Sequence, residues 1–331
     1  MCKTPSSRLL QRLIIDVVIL IALCCVALVA LPKLLPTTRR GFFCSDTSLR
    51  YPYTASLLNR VHITIAVIAL PAAVMLVVEM LWAAVRAARK TNPGNANGNT
   101  VTTGAKRTGV QQFIFVGINI PTFVSECYKI VGVYFFGLAL VLIALRATKN
   151  FVGRLRPYFF DVCQPQLLET LGSGLACERF DVPKALNAST ITGGYIEDYE
   201  CYELAASAEL LSMARQSFPS GYTSTVCYAM FFIVFYLQAR LAARVFLLLK
   251  TLLQFGFVML AALVAIERFY THHNHWTDIL AGGVLGFILA AFATIAVADL
   301  FKQLPVKKRK TRDDSTRIYG YYGVNRVSKY Y

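Results

Sequence analysis

The chain has 331 residues, of which 56% are hydrophobic and 16% charged, and its mean hydropathy is +0.51. In soluble domains about a quarter of all residues are charged, so this composition excludes an ordinary soluble domain. The formal net charge is +16, but the basic residues lie mostly beside apolar blocks, where anionic lipid attracts them. The charge therefore indicates a membrane surface as partner, and no nucleic acid.

Apolar blocks of about 20 residues, the length of a bilayer span, recur along the chain. In lipid, backbone polar groups must be satisfied inside each helix. We therefore predict an all-α, polytopic membrane protein with a six-transmembrane helix bundle. The first block is followed by Lys33–Pro36 and not by a small-residue cleavage site, which favours a retained span over a signal peptide. The predicted spans are about Leu13–Leu31, Ile63–Ala84, Val131–Leu145, Thr223–Leu237, Val245–Ile266 and Ile279–Ala298.

Lys and Arg near the span ends predict the orientation. Basic residues recur before the first span, between Arg86 and Arg107, between the fourth and fifth spans, and after Lys302. Both termini are therefore expected in the cytoplasm, most simply at the plasma membrane. The expected domains are a cytoplasmic segment 1–12, a membrane domain 13–300, and a basic, Tyr-rich cytoplasmic tail 301–331. The stretch 91–104 has the composition of a flexible polar linker.

A large loop from about Arg146 to Tyr222 is placed outside the cell or in a lumen by this orientation. It contains an N-glycosylation sequon at Asn187, which supports the orientation only weakly because such triplets are common. Cysteines on that side can form disulfides. Pairing of Cys163 with Cys177 is the most local choice, and free thiols remain an alternative.

Three short motifs lie on the predicted outer side. The first supplies Lys149 and Arg156, and arginine grips phosphate through two parallel donors. The second places Ser220 and Gly221 just before a helix, where backbone N–H groups bind anions. The third combines Arg268 with several imidazoles and Asp278, a pairing typical of an oriented nucleophile or base. Each motif alone would fit helix anchoring at the interface, but together they predict an extracytoplasmic, active-site-like pocket for phosphate. The motifs are Lys149–Pro157, Ser217–Tyr222 and Arg268–Asp278.

These motifs resemble the lipid phosphate phosphatases, the type 2 phosphatidic-acid phosphatases. That family has Lys, six residues, Arg-Pro; then Pro-Ser-Gly-His; then Arg, five residues, His, three residues, Asp. The resemblance implies phosphomonoester hydrolysis through a phosphohistidine, with no cofactor and no metal. It implies lipid phosphates of the phosphatidate, lysophosphatidate and sphingosine 1-phosphate class as ligands, and leaves a homo-oligomer open. It places Lys149, Arg156, Ser220, Gly221 and Arg268 in the phosphate cage.

The chain departs from the family at both catalytic histidines. Tyr222 stands at the position of the acid, and Asn274 at that of the nucleophile, with Asp278 in register. An amide forms no stable phosphoryl adduct, and a tyrosine with an ordinary pKa of about 10 is a poor acid at neutral pH. Rescue by His272, His273 or His275 is disfavoured because a displacement of about 1 Å already costs much rate.

The leading hypothesis is a catalytically impaired family member that still binds lipid phosphates. One alternative is an active phosphatidate phosphatase, in lipid metabolism and signalling, that uses a neighbouring histidine such as His275. A second is a non-catalytic membrane scaffold in which the site has lost its role.

Overall fold

The computed structural model describes residues 5–91, 113–115, 118–120, 122–167, 195–202, 207–241 and 247–301. The sequon at Asn187, the thiol of Cys177, most of the linker 91–104 and the tail from residue 302 lie outside them. One compact unit of the chain ends at Leu300.

Six helices are long and apolar enough to cross a membrane, which confirms the predicted six-span architecture. The third span is longer than predicted at both ends. Arg146 and Lys149 end its apolar run, but the helix continues to Val152. The spans are Leu13–Leu34, Arg60–Val85, Glu126–Val152, Gly221–Arg240, Leu247–Tyr270 and Trp276–Val297.

Ten α-helices and six short strands lie in the described part of the chain. The helices are α1 (Pro5–Cys25), α2 (Leu31–Leu34), α3 (Arg60–Thr64), α4 (Leu70–Thr91), α5 (Thr122–Val152), α6 (Phe159–Cys163), α7 (Ala208–Ala214), α8 (Gly221–Arg240), α9 (Leu247–Tyr270) and α10 (Trp276–Ala291). The strands pair antiparallel as β1 (Phe42–Phe43) with β5 (Tyr195–Ile196), β2 (Phe113–Phe115) with β3 (Ile118–Ile120), and β4 (Pro165–Leu167) with β6 (Tyr199–Cys201).

Two of the spans contain π-helical turns beside a proline. Residues Val26–Ala30 join α1 to α2, and Ile65–Ala69 join α3 to α4. Pro32 and Pro71 follow them at the second position of α2 and α4. Proline has no N–H to donate to the preceding turn, and a π-helical turn is a known way of adjusting a helix at such a site. Both spans therefore continue past their proline.

Helix α8 forms the centre of the bundle. Of its most apolar stretch 61% is buried, against 6% for the first span, so α8 is surrounded by protein and α1 is not. Helix α10 packs closely on it because Gly282 has no side chain. A Cβ at Gly282 would lie 2.7 Å from the carbonyl oxygen of Ser220. This contact brings the start of α10 against the start of α8.

A smaller core covers the end of the bundle at which α5 ends and α8 and α10 begin, which we call the site end. It contains Phe42, Tyr158, Phe159 and Tyr199 among other buried residues. The strand pairs β1–β5 and β4–β6 border it. They were not predicted because two or three residues give no readable alternation.

The predicted bridge between Cys163 and Cys177 is wrong. Cys163 bonds to Cys201, with their Cα atoms 4.7 Å apart. The physical reason is the pairing of β4 with β6, which places Pro165 opposite Cys201 and so brings the sulfurs within bonding reach. Cys44 is also disulfide-bonded. Sequence distance was therefore a poor guide to the pairing.

Candidate functional site

The N-terminus of α8 lies at the centre of the site. Ser220 is its cap residue, with extended backbone dihedrals, and Gly221 is its first helical residue. The backbone N–H of Ser220 donates to the carbonyl of Asp278 at 3.0 Å, which links the starts of α8 and α10. The side chain of Ser220 is fully buried and shares a 2.9 Å hydrogen bond with the hydroxyl of Thr223. A helix start of this kind attracts anions through its free N–H groups.

Lys149 reaches this helix start from the last turn of α5. Its Nζ lies 3.4 Å from the place where a Cβ of Gly221 would be. The ammonium group thus lies beside the first helical residue of α8. The structure therefore brings the first and second motifs together.

Arg156 follows in the loop after α5. Its guanidinium carbon lies 5.8 Å from the ring centre of Tyr158. Its buried Nε has no hydrogen-bond partner within the described ranges. A buried guanidinium donor without a partner is costly, so it fits a site that an anion fills.

Asn274, at the nucleophile position, is buried and held by the second motif. Its Nδ2 donates to the backbone carbonyl of Ser217 at 2.7 Å, and its Oδ1 accepts a longer, 3.4 Å bond from Ser220. The side chain is thus fixed as a structural link between the second and third motifs.

Asp278 is fully buried and does not bond to Asn274. Its Oδ2 accepts from the hydroxyl of Ser217 at 2.5 Å, and its Oδ1 from Nη1 of Arg154 at 2.6 Å. The same Oδ2 also lies 3.2 Å from Nδ1 of His275. The carboxylate therefore orients His275 and Ser217.

The other two histidines lie apart from Asp278. His272 has a left-handed backbone, with φ of 52°, and stacks on Tyr51 at 4.0 Å. His273 is buried, and its Nδ1 lies 2.9 Å from the hydroxyl of Thr271. Burial, together with the charges of Arg268 and Arg156, lowers the pKa of His273 to about 4. This imidazole is therefore neutral at physiological pH and close to two cationic groups of the site.

Arg268, which the resemblance placed in the phosphate cage, has a setting that the sequence did not predict. It is 4% exposed, and its guanidinium lies over the ring of Tyr222 at 4.5 Å. Its nearest charge is Glu267, with Nε and Oε2 2.5 Å apart. An arginine with its own carboxylate partner is not a free phosphate ligand.

Three residues of the site were assigned no role from the sequence. Arg154 belongs to the first motif and Ser217 to the second, so their positions in the sequence indicated a place near the site. Their shared partner, Asp278, could not be predicted from the sequence. Glu267 is an acid within an apolar run, and such an acid usually has a specific partner. The position of Glu267 beside Arg268 could therefore have predicted that the two residues form an ion pair.

Comparisons with known proteins cover the part of the chain that carries these motifs. The PAP2 superfamily matches residues 130–302, which include all three motifs. No solved structure matches the chain significantly. A protein of Drosophila melanogaster named "Putative phosphatidate phosphatase" is 35% identical, over 90% of this chain and 71% of its own length. Phospholipid phosphatase 1 of Rattus norvegicus is 27% identical over 89% of this chain and 90% of its own. Phospholipid phosphatase 2 of Mus musculus is 29% identical over 87% and 89%.

The match covers more than half of the chain, and the three relatives align with it over 71%, 90% and 89% of their own lengths. It includes the Lys149, Ser220 and Asp278 motifs that the fold gathers at one end of the bundle. The chain is thus an integral membrane protein of the PAP2 superfamily, in its lipid phosphate phosphatase family.

Proposed function

We propose that this protein binds lipid phosphates such as phosphatidate and lysophosphatidate at the site end and hydrolyses them little or not at all. The observation that carries the proposal is the fixed amide of Asn274. It stands where the family pattern requires a nucleophilic imidazole, and its Nδ2 is committed to Ser217. Meanwhile Lys149 lies beside the start of α8, and Nε of Arg156 has no hydrogen-bond partner among the described residues, so both can serve an anion.

The site retains groups that stabilise the negative charge of a bound phosphoryl group but do not themselves react with it. A helix start and a lysine stabilise charge on the equatorial oxygens. Removal of an activated nucleophile in other covalent enzymes costs on the order of 10⁶ in rate. Binding and turnover are therefore separable properties of this site.

The test is phosphate release from short-chain phosphatidate by purified protein. We expect little release from the wild type and measurable turnover from the Asn274→His, Tyr222→His double variant. A parallel binding assay should show that Arg156→Ala weakens phosphatidate far more than a neutral lipid, because loss of one partner of a buried charge contact costs about 2–5 kcal/mol. If the folded double variant neither hydrolyses nor binds lipid phosphate, the protein is a scaffold.

A second candidate function is favoured by one contact. His275 has its Nδ1 3.2 Å from Asp278, which is the orientation that the family pattern assigns to the nucleophile. The protein would then be an active phosphatidate phosphatase, as the names of its relatives suggest. Robust turnover by the wild type, abolished by His275→Ala, would establish this function and overturn the first.

A further inference from the structure

The guanidinium of Arg268 already holds a carboxylate in the manner in which arginines hold phosphate. Its Nε lies 2.5 Å from Oε2 of Glu267 and its Nη2 3.0 Å from Oε1. These are two parallel donor–acceptor contacts along one edge of the guanidinium, the bidentate geometry typical of Arg–carboxylate and Arg–phosphate pairs. The side chain of Glu267 thus occupies the edge that a phosphoryl group would use.

The loop before α3 fastens this pair in place. Ser56 donates to Oε1 of Glu267 at 2.9 Å and accepts from Nη2 of Arg268. The backbone N–H of Leu57 donates to the same Oε1 at 3.1 Å, and the carbonyl of Leu58 accepts from Nη2 at 3.3 Å. Both side chains are more than nine-tenths buried. The pair is therefore built into the fold and does not result from a chance surface contact.

The remaining surface of the guanidinium is largely covered as well. Tyr222 lies against one face at 4.5 Å. Within the described residues, Nη1 alone among the three nitrogens has no hydrogen bond. Nη1 can still donate to a ligand, but the Nε–Nη2 edge, which gives the two-point grip, is occupied by Glu267. Arg268 therefore contributes less to anion binding than Lys149 and Arg156.

We propose that Glu267 is a specificity-determining residue that competes with phosphate for Arg268. The inference rests on the proposed function. With Arg268 neutralised, the cage presents Lys149 and Arg156 as its free positive charges. A phosphate monoester carries between about 1.5 and 2 negative charges at neutral pH, whereas a phosphodiester carries one. Glu267 therefore reduces the preference of the site for phosphate monoesters over phosphodiesters.

The test compares Glu267→Gln with the wild type, using purified full-length protein, short-chain phosphatidate as monoester and short-chain phosphatidylglycerol as diester. Glutamine keeps an acceptor for Ser56 and Leu57 but removes the charge that holds Arg268. We expect phosphatidate to bind about tenfold more tightly, the factor for one charge-assisted hydrogen bond. Phosphatidylglycerol should change by less than about threefold, because it has one negative charge to gain from the freed cation.

Two control variants isolate the mechanism. Glu200→Gln removes one carboxylate from an exposed position on β6, and it should leave both affinities and their ratio unchanged. Glu267→Gln combined with Arg268→Gln removes the freed cation, and it should return phosphatidate affinity to the wild-type value. A gain in Glu267→Gln that survives this second change would overturn the proposal.

Thermal unfolding of each variant shows whether it is folded. The ratio of the two affinities is measured on one preparation, so that inactive protein lowers the binding capacity for both lipids equally. If Glu267→Gln does not fold, Ser56→Ala is the second variant, since it removes one partner that both side chains share. It should raise the ratio of phosphatidate to phosphatidylglycerol affinity by about threefold, less than Glu267→Gln does, because Glu267 keeps its charge. An unchanged ratio in the folded variant refutes the role of Glu267. If Arg156→Ala also leaves phosphatidate binding unchanged, the proposed function itself fails.

Discussion

Asn274 and Tyr222 separate this chain from its family's chemistry, and their surroundings suggest an order in which activity could be restored. Asn274 is hydrogen-bonded to Ser217 and Ser220, so an imidazole at this position would lie at the start of α8. Tyr222 stacks on Arg268, so a histidine there would have to share space with a cation. Glu267 pairs with that cation, so a histidine at position 222 would face an ion pair and not a lone positive charge.

We therefore predict a stepwise gain of function. Asn274→His alone should form a phosphohistidine from short-chain phosphatidate without sustained turnover, because Tyr222 is a poor proton donor at neutral pH. Radiolabelled phosphate bound to the denatured protein measures the adduct. Asn274→Gln serves as the control for side-chain size and should form none. Sustained turnover by the single variant would show that another group supplies the proton.

His273 makes the stability of the protein depend on pH. Burial, helped by Arg268 and Arg156, lowers its pKa to about 4, below the value of about 6.5 for free histidine. Its neutral form is therefore favoured by folding. Its contribution to the free energy of unfolding is complete above pH 6.5 and decreases as pH falls toward 4, by roughly 2–3 kcal/mol in total.

The measurement is thermal unfolding in detergent between pH 7.5 and 5. The wild type should lose stability through this window, and His273→Gln should lose less, because glutamine takes up no proton. His62 is exposed on α3, so His62→Gln should leave the wild-type slope unchanged. Equal slopes for all three proteins would contradict the prediction.

At the scale of elements, the contact between α8 and α10 depends on glycine. A Cβ at Gly282 would lie 2.7 Å from the carbonyl oxygen of Ser220, whereas one at Gly283 would meet its nearest atom, Sγ of Cys227, at 3.8 Å. We expect Gly282→Ala to cost about 1–3 kcal/mol of stability through overpacking and to weaken phosphatidate binding, since it displaces the start of α8. Gly283→Ala is the matched control and should do neither. Thermal unfolding and lipid binding distinguish the two variants.

The opposite end of the bundle is held by charges. Arg240 at the end of α8 lies 3.0 Å from Glu79 of α4 and 3.0 Å from Glu126 of α5. Tyr236 donates to the same carboxylate of Glu79 at 3.0 Å. Glu79 is 1% exposed, so its carboxylate contacts these partners and not water. The network joins the three helices α4, α5 and α8.

Arg240→Ala should therefore destabilise the protein by about 3–5 kcal/mol, the usual cost of leaving a buried charge unpaired. Lys129→Ala breaks the exposed ion pair with Glu126 and should cost less than about 1 kcal/mol. Thermal unfolding of the two variants in the same detergent provides the measurement. If the two substitutions changed the free energy of unfolding by similar amounts, burial would not make the Arg240 network more important than an exposed ion pair.

For the whole molecule, the positions of Lys and Arg predict one orientation in the membrane. Both termini and the loop from Arg86 to Lys106 should face the cytoplasm, and the site end should face outward. Proteases added to intact cells should therefore not cleave that loop, but should do so after permeabilisation. An epitope inserted at residue 187, on the predicted outer loop, serves as the positive control. Cleavage of the Arg86–Lys106 loop in intact cells would show that the protein has the opposite orientation.

The sequence alone determined the six spans and the residues of the three motifs. Span length follows from the thickness of the hydrocarbon layer, and apolar runs are local properties of a chain. A helix start beside Ser220 and Gly221 was predicted from the second motif, and the approach of Lys149 to it was expected only from the three motifs taken together. The departure at Asn274 was visible by counting from Arg268, and the departure at Tyr222 by its place directly after Ser220 and Gly221.

Only the tertiary structure decided which side chains meet. Arg268 is paired with Glu267 because a loop more than 200 residues earlier in the chain, at Ser56, holds both. Asp278 orients His275 and not Asn274, since Ser217 and Arg154 fix the direction of its carboxylate. A motif names the charges of a site, whereas their partners depend on how distant segments pack, and packing leaves no local pattern in the sequence.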